Sequence, residues 1–332
     1  MTVGENGSLR FAGVDTADLA AKYGTPLYLF DADRIRERCK LYQSEMKAAF
    51  GGDSRPLYAG KAFCAKAIYR IMAECGMSVD LVSPGELFTA KSAGFPMERA
   101  FFHGNNKTDA DIALALDSGV GCFVCDSREE LLALDRIAGE RGVCQKILLR
   151  VTPGIDPHTF AAVTTGKVDS KFGSPIATGA ALELTKLALS LEHIDLDGFH
   201  CHIGSQIFDV VPYVDAANVM LSFIKDVRDA TGFVAKTLNL GGGFGVRYTE
   251  SDPEFDYAAA IQSLAKAVKE AAKNNGLPMP SILLEPGRSI VADAGMTLYT
   301  VGTVKEIPGF RTYVSVDGGM PDNPRYALYR SV

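Results

Sequence analysis

The sequence predicts an α/β protein: a (β/α)8 barrel of the TIM type, joined to a second, mostly antiparallel β domain. About eight short apolar segments, typical of buried strands, alternate with helical patterns over roughly 230 residues, which fits a closed barrel better than an open doubly wound sheet. After Pro286 the helical patterns stop, and residues 296–304 and 311–316 alternate apolar and polar side chains, as antiparallel strands do. The predicted barrel strands lie near residues 57–61, 79–83, 100–103, 121–126, 146–151, 197–203, 236–241 and 281–285.

The two chain ends are expected to form the second domain together. Segments 9–14 and 25–30 are typical of short strands, and Asp31 is placed to cap the helix that follows. Because the chain stops at Val332, soon after the antiparallel strands, we expect this domain to be incomplete. The predicted limits are residues 33–290 for the barrel, and residues 1–32 with 291–332 for the β domain.

The bulk composition excludes several classes of function. Of the 332 residues 47% are hydrophobic and 22% are charged, as in an ordinary soluble globular protein. A net charge of −6 argues against nucleic acid and against a basic membrane-binding patch, and no apolar run approaches the ~18 residues of a spanning helix. Seven scattered cysteines fit reduced thiols in the cytoplasm, and Cys122 and Cys125 should face opposite sides of one strand.

Polar residues that are unusual for a buried sheet follow nearly every predicted strand. In a barrel of this kind the active site lies at the carboxyl ends of the strands, so these side chains should meet there. In chain order they are Lys61; Asp80, Ser83 and Glu86; His103, Asn105 and Asn106; Arg150; His200, His202 and Ser205; the glycines 241–243; and Glu285 with Gly287 and Arg288.

Lys61 lies where the first apolar strand should end and a helical pattern begins. Burial at such a position would lower the pKa of its amine, which suits a lysine that forms a Schiff base. The alternative is a structural lysine whose stem lines the strand end while its ammonium reaches water.

The segment 241–245 reads GGGFG and follows the seventh predicted strand, where barrel enzymes commonly bind phosphate. Glycines there allow close approach of an anion to the backbone, although they also occur for packing alone. A rival hypothesis pairs His200 with His202 as metal ligands, completed by Asp80 or Glu285. That hypothesis leaves the glycines unexplained, whereas a pyridoxal phosphate site would use the lysine, the glycines, a carboxylate and an imidazole.

Five short motifs occur in order along the chain: YAGKA at 58–62, HIGSQ at 202–206, GGGFG at 241–245, EPGR at 285–288 and VDGGM at 316–320. Together they resemble the fold-type III pyridoxal-phosphate decarboxylases. Three further motifs resemble the members of that family that act on diaminopimelate, rather than those that act on ornithine or arginine. These are HGNNK at 103–107, KFG at 171–173, and DNPR at 322–325 followed by Tyr329.

The resemblance implies roles for individual residues. Lys61 and His202 would be catalytic, with Lys61 holding pyridoxal 5'-phosphate covalently and His202 stacking on its ring. Arg288, Arg325 and Tyr329 would receive the distal carboxylate of the substrate. No metal is implied. The full set of implied cofactor-binding residues is Lys61, Asp80, His202, Ser205, Gly241, Gly242, Gly243, Glu285, Gly287 and Arg288.

The implied activity is decarboxylation of meso-2,6-diaminopimelate to L-lysine and carbon dioxide, in a cytoplasmic homodimer with shared active sites. Alternatives are decarboxylation of carboxynorspermidine, ornithine or arginine, or a non-catalytic barrel that carries the cofactor. The family pattern also continues beyond Val332 with a Cys-Glu-Ser segment and a tyrosine. We therefore expect this chain to be a truncated form, with weak cofactor binding and poor activity.

Overall fold

The computed structural model of the protein describes residues 1–5, 7–156, 166, 169–324 and 327. The strands are β1 (Thr2–Val3), β2 (Leu9–Phe11), β3 (Val14–Asp15), β4 (Leu27–Phe30), β5 (Arg55–Ala59), β6 (Ser78–Leu81), β7 (Ala100–Phe102), β8 (Cys122–Cys125), β9 (Gln145–Thr152), β10 (Ser174–Pro175), β11 (Ile194–His200), β12 (Thr237–Asn239), β13 (Ser281–Leu284), β14 (Gly295–Leu298), β15 (Val301–Ile307) and β16 (Arg311–Val316). The α-helices are α1 (Thr16–Tyr23), α2 (Ala32–Phe50), α3 (Lys66–Glu74), α4 (Pro84–Ser92), α5 (Asp109–Asp117), α6 (Arg128–Glu140), α7 (Ala180–Ser190), α8 (Val211–Thr231), α9 (Tyr257–Asn274) and α10 (Arg288–Val291).

The chain divides into two compact units. One unit is Ile35–Asp293, and the other combines Met1–Arg34 with Ala294–Val332. The predicted domain limits, residues 33–290 for the barrel and residues 1–32 with 291–332 for the β domain, remain a prediction. Among the helices of the described residues, none has the length and apolar character that crossing a membrane requires.

The larger unit contains a closed barrel of eight parallel strands, in the order β9-β11-β12-β13-β5-β6-β7-β8, which closes through pairing of β8 with β9. This confirms the predicted (β/α)8 fold, and each of the eight predicted strands has its counterpart. The bounds differ by a few residues, and one difference matters for the site. β5 ends at Ala59, so Lys61 lies in the 3-10 turn Gly60–Ala62 beyond the strand.

Three of the helices begin at polar caps that were predicted from the sequence. Thr108 and Asp111 form a reciprocal capping box at the start of α5. Ser127 accepts a hydrogen bond from the Glu130 amide and starts α6, and Asp31 Oδ1 accepts from two amides at the start of α2. The caps at Thr108 and Ser127 set where the short loops after β7 and β8 end and the next helices begin.

The barrel interior is filled by apolar side chains from several strands, among them Leu57, Phe101, Val124, Leu148 and Leu283. Cys122 belongs to the same cluster, and Cys125 is buried as well. Neither thiol forms a disulfide. The packed interior leaves the carboxyl ends of the strands as the place where polar side chains gather.

The smaller unit consists of antiparallel sheets, as predicted: β1-β2-β3, β4 with β14, and β15 with β16. The prediction of a single strand over 296–304 was wrong. The chain is interrupted at Tyr299 and Thr300, so β14 pairs with β4 while β15 forms a separate hairpin with β16. Alternation of side chains could not reveal this break, since it indicates extended backbone and not the partner strand.

Candidate active site

A cluster of buried polar side chains lies at the carboxyl ends of the barrel strands, centred on Glu285 directly after β13. Its Oε2 lies 3.2 Å from His200 Nε2 at the end of β11. Its Oε1 accepts a hydrogen bond of 2.7 Å from Asn239 Nδ2 at the end of β12, and lies 3.1 Å from His103 Nε2 just after β7. Three further strand ends, distant in sequence from Glu285, thus place their groups around its carboxylate.

The electrostatics of the cluster favour a negative Glu285 beside a neutral His200. Burial alone would raise the pKa of Glu285, but His200 and His103 more than offset burial and hold that pKa well below its usual value. Burial lowers the pKa of His200 to about 4, against the opposing charge of Glu285. Burial also raises the pKa of Asp80, which lies at the end of β6 with Oδ1 3.6 Å from His103 Nε2.

Three atoms of this cluster lack a hydrogen-bond partner within the described part of the chain: Asp80 Oδ1, His103 Nε2 and His200 Nδ1. His103 Nε2 is close to Glu285 Oε1, but its ring is not aligned to donate to that oxygen. Buried polar atoms without partners are costly and rare in folded proteins. They are therefore the atoms that a polar ligand in the barrel mouth would satisfy.

His103, His200 and Glu285 could also hold a metal ion, because their ligand atoms all lie within 4.8 Å of one another. This group differs from the predicted pairing of His200 with His202, since it does not include His202. The ring of His202 is engaged elsewhere, because its Nδ1 accepts from the Gly242 amide at 3.3 Å.

Lys61 is exposed at the barrel mouth. The prediction that this lysine is buried was wrong, because β5 ends two residues earlier and Lys61 lies in the 3-10 turn that follows. Its ammonium nevertheless acts on the site. Burial lowers the pKa of His202 well below its usual value and the charge of Lys61 lowers it further, while the same charge opposes the rise in the pKa of Asp80. An exposed amine within reach of these groups is free to react with a ligand.

The triple glycine after β12 is required by the backbone itself. A Cβ atom on Gly242 would lie 1.9 Å from the carbonyl oxygen of Glu285, and one on Gly243 would lie 2.0 Å from that of Gly204. The amide of Gly241 donates to Asn239 Oδ1 at 2.9 Å, and that of Gly242 donates to His202. Asn239 and His202 therefore hold the loop close to the site. The backbone is packed so closely there that only glycine fits.

The remaining predicted residues surround this loop or lie beyond it. Ser205 is in the loop after β11, which is joined to the glycine loop by backbone hydrogen bonds of Ile207 with Gly243 and Gly245. Gly287 precedes α10, and Arg288, the first residue of that helix, donates from Nη1 to the Tyr248 hydroxyl at 3.0 Å. Arg325 and Tyr329 lie outside the described residues.

Three groups that the structure places in or beside the site had no predicted role. They are Asn239, Tyr248 and His103, which was noted only as a polar strand end and as the first residue of the HGNNK motif. Asn239 precedes the glycines within an apolar strand, and a buried asparagine at a barrel strand end was the available signal. Tyr248 carried no signal, since a tyrosine in a loop is common.

Comparison with known proteins shows the family to which the chain belongs. A family model described as "Pyridoxal-dependent decarboxylase, pyridoxal binding domain" matches residues 32–292. The diaminopimelate decarboxylase of Bacillus subtilis (strain 168) is 48% identical over 98% of this chain and 74% of its own length, and that of Bacillus methanolicus is 45% identical over 99% and 76%.

Solved structures show the same likeness. The diaminopimelate decarboxylase from M. jannaschii in complex with L-lysine superposes with a TM-score of 0.89 at 33% identity, over 98% of this chain and 75% of that one. The enzyme from Helicobacter pylori with L-lysine gives 0.85 at 31%, over 96% and 76%. Fold and site together define a pyridoxal-dependent decarboxylase. Within that class, the chain belongs to the diaminopimelate decarboxylase family, and it spans about three quarters of the length of these relatives.

Proposed function

We propose that this protein decarboxylates meso-2,6-diaminopimelate to L-lysine and carbon dioxide, using pyridoxal 5'-phosphate. The observation that carries the proposal is the buried cluster around Glu285, in a chain that is 48% identical to a diaminopimelate decarboxylase across nearly its whole length. The unpartnered polar atoms at the barrel mouth and the close-packed glycine loop fit a ligand with a polar ring and a phosphate.

The residues that would hold the cofactor surround the barrel mouth. Lys61 would hold it covalently, Glu285 would pair with its ring nitrogen, and His202 would lie against its ring. Asp80 would stand beside Lys61. Bound in this way, the cofactor supplies an electron sink for the substrate's α-carbon. Its phosphate would lie against Ser205, Gly241, Gly242, Gly243, Gly287 and Arg288.

The chain's own groups are suited to the proton and charge transfers of this reaction. Glu285 presents a fixed negative charge that stabilises a protonated ring nitrogen. The bond from Cα to the carboxylate breaks, its electron pair stays with the substrate, and a proton must replace carbon dioxide on Cα. The exposed amine of Lys61 can deliver that proton once the substrate has displaced it.

Substrate choice is proposed to depend on the charge of the distal group. Arg288, together with Arg325 and Tyr329 beyond the described residues, would receive a carboxylate, since a guanidinium grips that group with two hydrogen bonds. Ornithine and arginine would place a cation against the same arginines, which like-charge repulsion disfavours. Carboxynorspermidine also ends in a carboxylate, and it is the alternative to compare directly.

The proposed function also includes a cytoplasmic homodimer. Reduced conditions are supported by the seven cysteines, all of which are described and none of which forms a disulfide. The two copies of the chain are proposed to share their active sites.

The test of the activity is release of labelled carbon dioxide from meso-diaminopimelate carrying a labelled carboxyl group, with cofactor present. We expect slow release from this chain, faster release from a version extended through the Cys-Glu-Ser segment, and far slower release from ornithine or carboxynorspermidine in both. Equal turnover of ornithine would contradict the substrate assignment. Bound cofactor without any release from the extended version would favour the carrier barrel.

Lys61 is expected to carry the cofactor. Borohydride reduction and peptide mapping should place the label on Lys61, and Lys61→Ala should abolish it and slow decarboxylation by roughly 10²-fold or more, as expected when a positioned proton-transfer group is lost. Lys66→Ala, at the start of the next helix, is the matched control and should change neither. Label on Lys66 or Lys107 would show that the lysine was wrongly assigned.

A further inference from the structure

Asn239 connects the two halves of the proposed cofactor site. Its side chain is completely buried. Nδ2 donates to Glu285 Oε1 at 2.7 Å, and Oδ1 accepts from the Gly241 amide at 2.9 Å. One amide group therefore bonds the carboxylate and the glycine loop at the same time, with both of its polar ends used.

His200 holds the other oxygen of the same carboxylate. His200 and Asn239 are direct register partners on the paired strands β11 and β12, so their side chains emerge side by side into the barrel. His200 Nε2 lies 3.2 Å from Glu285 Oε2. Because Glu285 accepts at that oxygen, the neutral imidazole must carry its proton on Nε2. Asn239 and His200 thus bind one oxygen each and fix the plane of the carboxylate.

We propose that Asn239 and His200 are positioning residues that fix the carboxylate of Glu285 against the cofactor ring, and that Asn239 couples this carboxylate to the glycine loop. The inference rests on the proposed function, since it assigns Glu285 to the ring and the glycine loop to the phosphate. It goes beyond that function because it assigns a role to two further buried side chains. Neither of them need touch the cofactor, but both would control how its ring is held.

Three features favour this role over simple packing. Both side chains are buried polar groups beyond the apolar cluster that fills the barrel, and burying such groups is costly unless they are hydrogen-bonded. The bonds of His200 Nε2 and Asn239 Nδ2 converge on the two oxygens of one carboxylate. His103 closes a further side of Glu285 at 3.1 Å, so rotation of the carboxylate is opposed from three directions.

The test compares substitutions that keep one bond with substitutions that remove both. Asn239→Asp keeps the acceptor for the Gly241 amide but turns an oxygen toward Glu285, whereas Asn239→Leu removes both bonds. His200→Gln can still donate from an amide at the position of Nε2, whereas His200→Leu cannot. Asn218→Asp on the exposed surface of α8 and His193→Gln ahead of β11 are the controls.

The readouts are the circular dichroism of the bound cofactor in its visible absorption band, which reports ring orientation, and the Kd for pyridoxal phosphate and for pyridoxal without phosphate. We expect Asn239→Asp and His200→Leu to change the dichroic band and to raise the Kd of both ligands about 10-fold. The reason is that each substitution removes a buried hydrogen-bond donor to the charged carboxylate. His200→Gln should stay near wild type. Asn239→Leu should in addition reduce the advantage of pyridoxal phosphate over pyridoxal, because the glycine loop is released.

The outcomes separate this inference from the proposed function. If Asn239→Asp and His200→Leu bind both ligands with an unchanged band, the inference is wrong while the function stands. If the wild-type protein shows no cofactor band at all, the proposed function itself fails. Urea unfolding of every variant is measured in parallel, and should a leucine variant not fold, the comparison of Asn239→Asp and His200→Gln with their controls decides the question.

Discussion

At the scale of single residues, Lys107 shows how the barrel mouth is made rigid next to the site. Its Nζ lies 2.6 Å from Glu130 Oε1 and donates to the carbonyl oxygens of Gly104 and Val124. Both members of the ion pair are almost completely buried. With its three donors used, Lys107 has no free amine for a cofactor, which distinguishes it from Lys61.

Removing Lys107 should be strongly destabilising. We expect Lys107→Met to lower the free energy of unfolding by about 3–5 kcal/mol, because Glu130 would remain as a buried, uncompensated charge. Urea unfolding measures the change. The matched control is Arg136→Met, whose ion pairs with Asp109 and Glu140 are on the surface. A change as small for Lys107→Met as for the control would show that the buried pair does not hold the loop.

His200 should make stability depend on pH in a definite direction. Its pKa is lowered by burial from 6.5 to about 4, so between these values the unfolded chain takes up a proton at this position and the folded protein does not. The contribution of His200 is therefore complete above pH 6.5 and is lost as pH falls toward 4, by about 3 kcal/mol in total.

His200→Gln isolates this effect from the other titrating groups of the site. The difference in unfolding free energy between wild type and His200→Gln should fall steadily from pH 7 to pH 4. Urea unfolding at several pH values measures this difference. A difference that stays constant over the range would mean that His200 titrates as it does in water.

At the scale of elements, the glycine loop after β12 is the tightest turn of the site. Gly242→Ala should lower the free energy of unfolding by about 1–3 kcal/mol, since the added carbon meets the backbone oxygen of Glu285 and no flexible side chain can yield. The cofactor should also bind more weakly, because the loop and Glu285 would be pushed apart.

Gly85→Ala is the matched control for that prediction. Gly85 is in the first turn of α4, and the nearest atom to an added carbon there is 3.9 Å away. Alanine should be tolerated or slightly stabilising at such a position. Equal unfolding curves and equal cofactor affinity for the two variants would show that the loop has more room than its geometry indicates.

At the scale of the whole molecule, the hairpin of β15 and β16 carries an exposed apolar stripe. Val301 faces Val316 and Val304 faces Val314 across the two strands, and each is 43–60% exposed. Four valines on one face of a two-stranded ribbon are a surface suited to association. We expect the interface of the proposed homodimer to include this stripe.

Sedimentation at micromolar concentration should therefore give twice the chain mass of 35.5 kDa. Val304→Lys combined with Val314→Lys should shift the protein toward the monomer, because two ammonium groups cannot be buried in the interface without partners. Val143→Lys, at a residue 42% exposed on the larger unit, should leave the mass unchanged. A monomeric wild type would contradict the dimer, and an unchanged double variant would place the interface elsewhere.

The amino-acid sequence by itself determined the architecture and indicated most of the polar side chains that gather at the strand ends. Apolar periodicity located all eight barrel strands, because a strand buried on both faces must be apolar throughout. Thr108, Ser127 and Asp31 marked helix starts, because side-chain caps are local chemistry. Motif order pointed to the decarboxylase family, which the comparisons then showed.

The tertiary structure decided what depends on distance across the barrel. The exposure of Lys61 followed from a strand that ends two residues early, and the break before Val301 followed from the choice of partner strand. Neither leaves a local signal. The enclosure of Glu285 by His103, His200 and Asn239 brings together residues up to 182 positions apart in sequence (103 to 285), and only closure of the parallel barrel makes them neighbours.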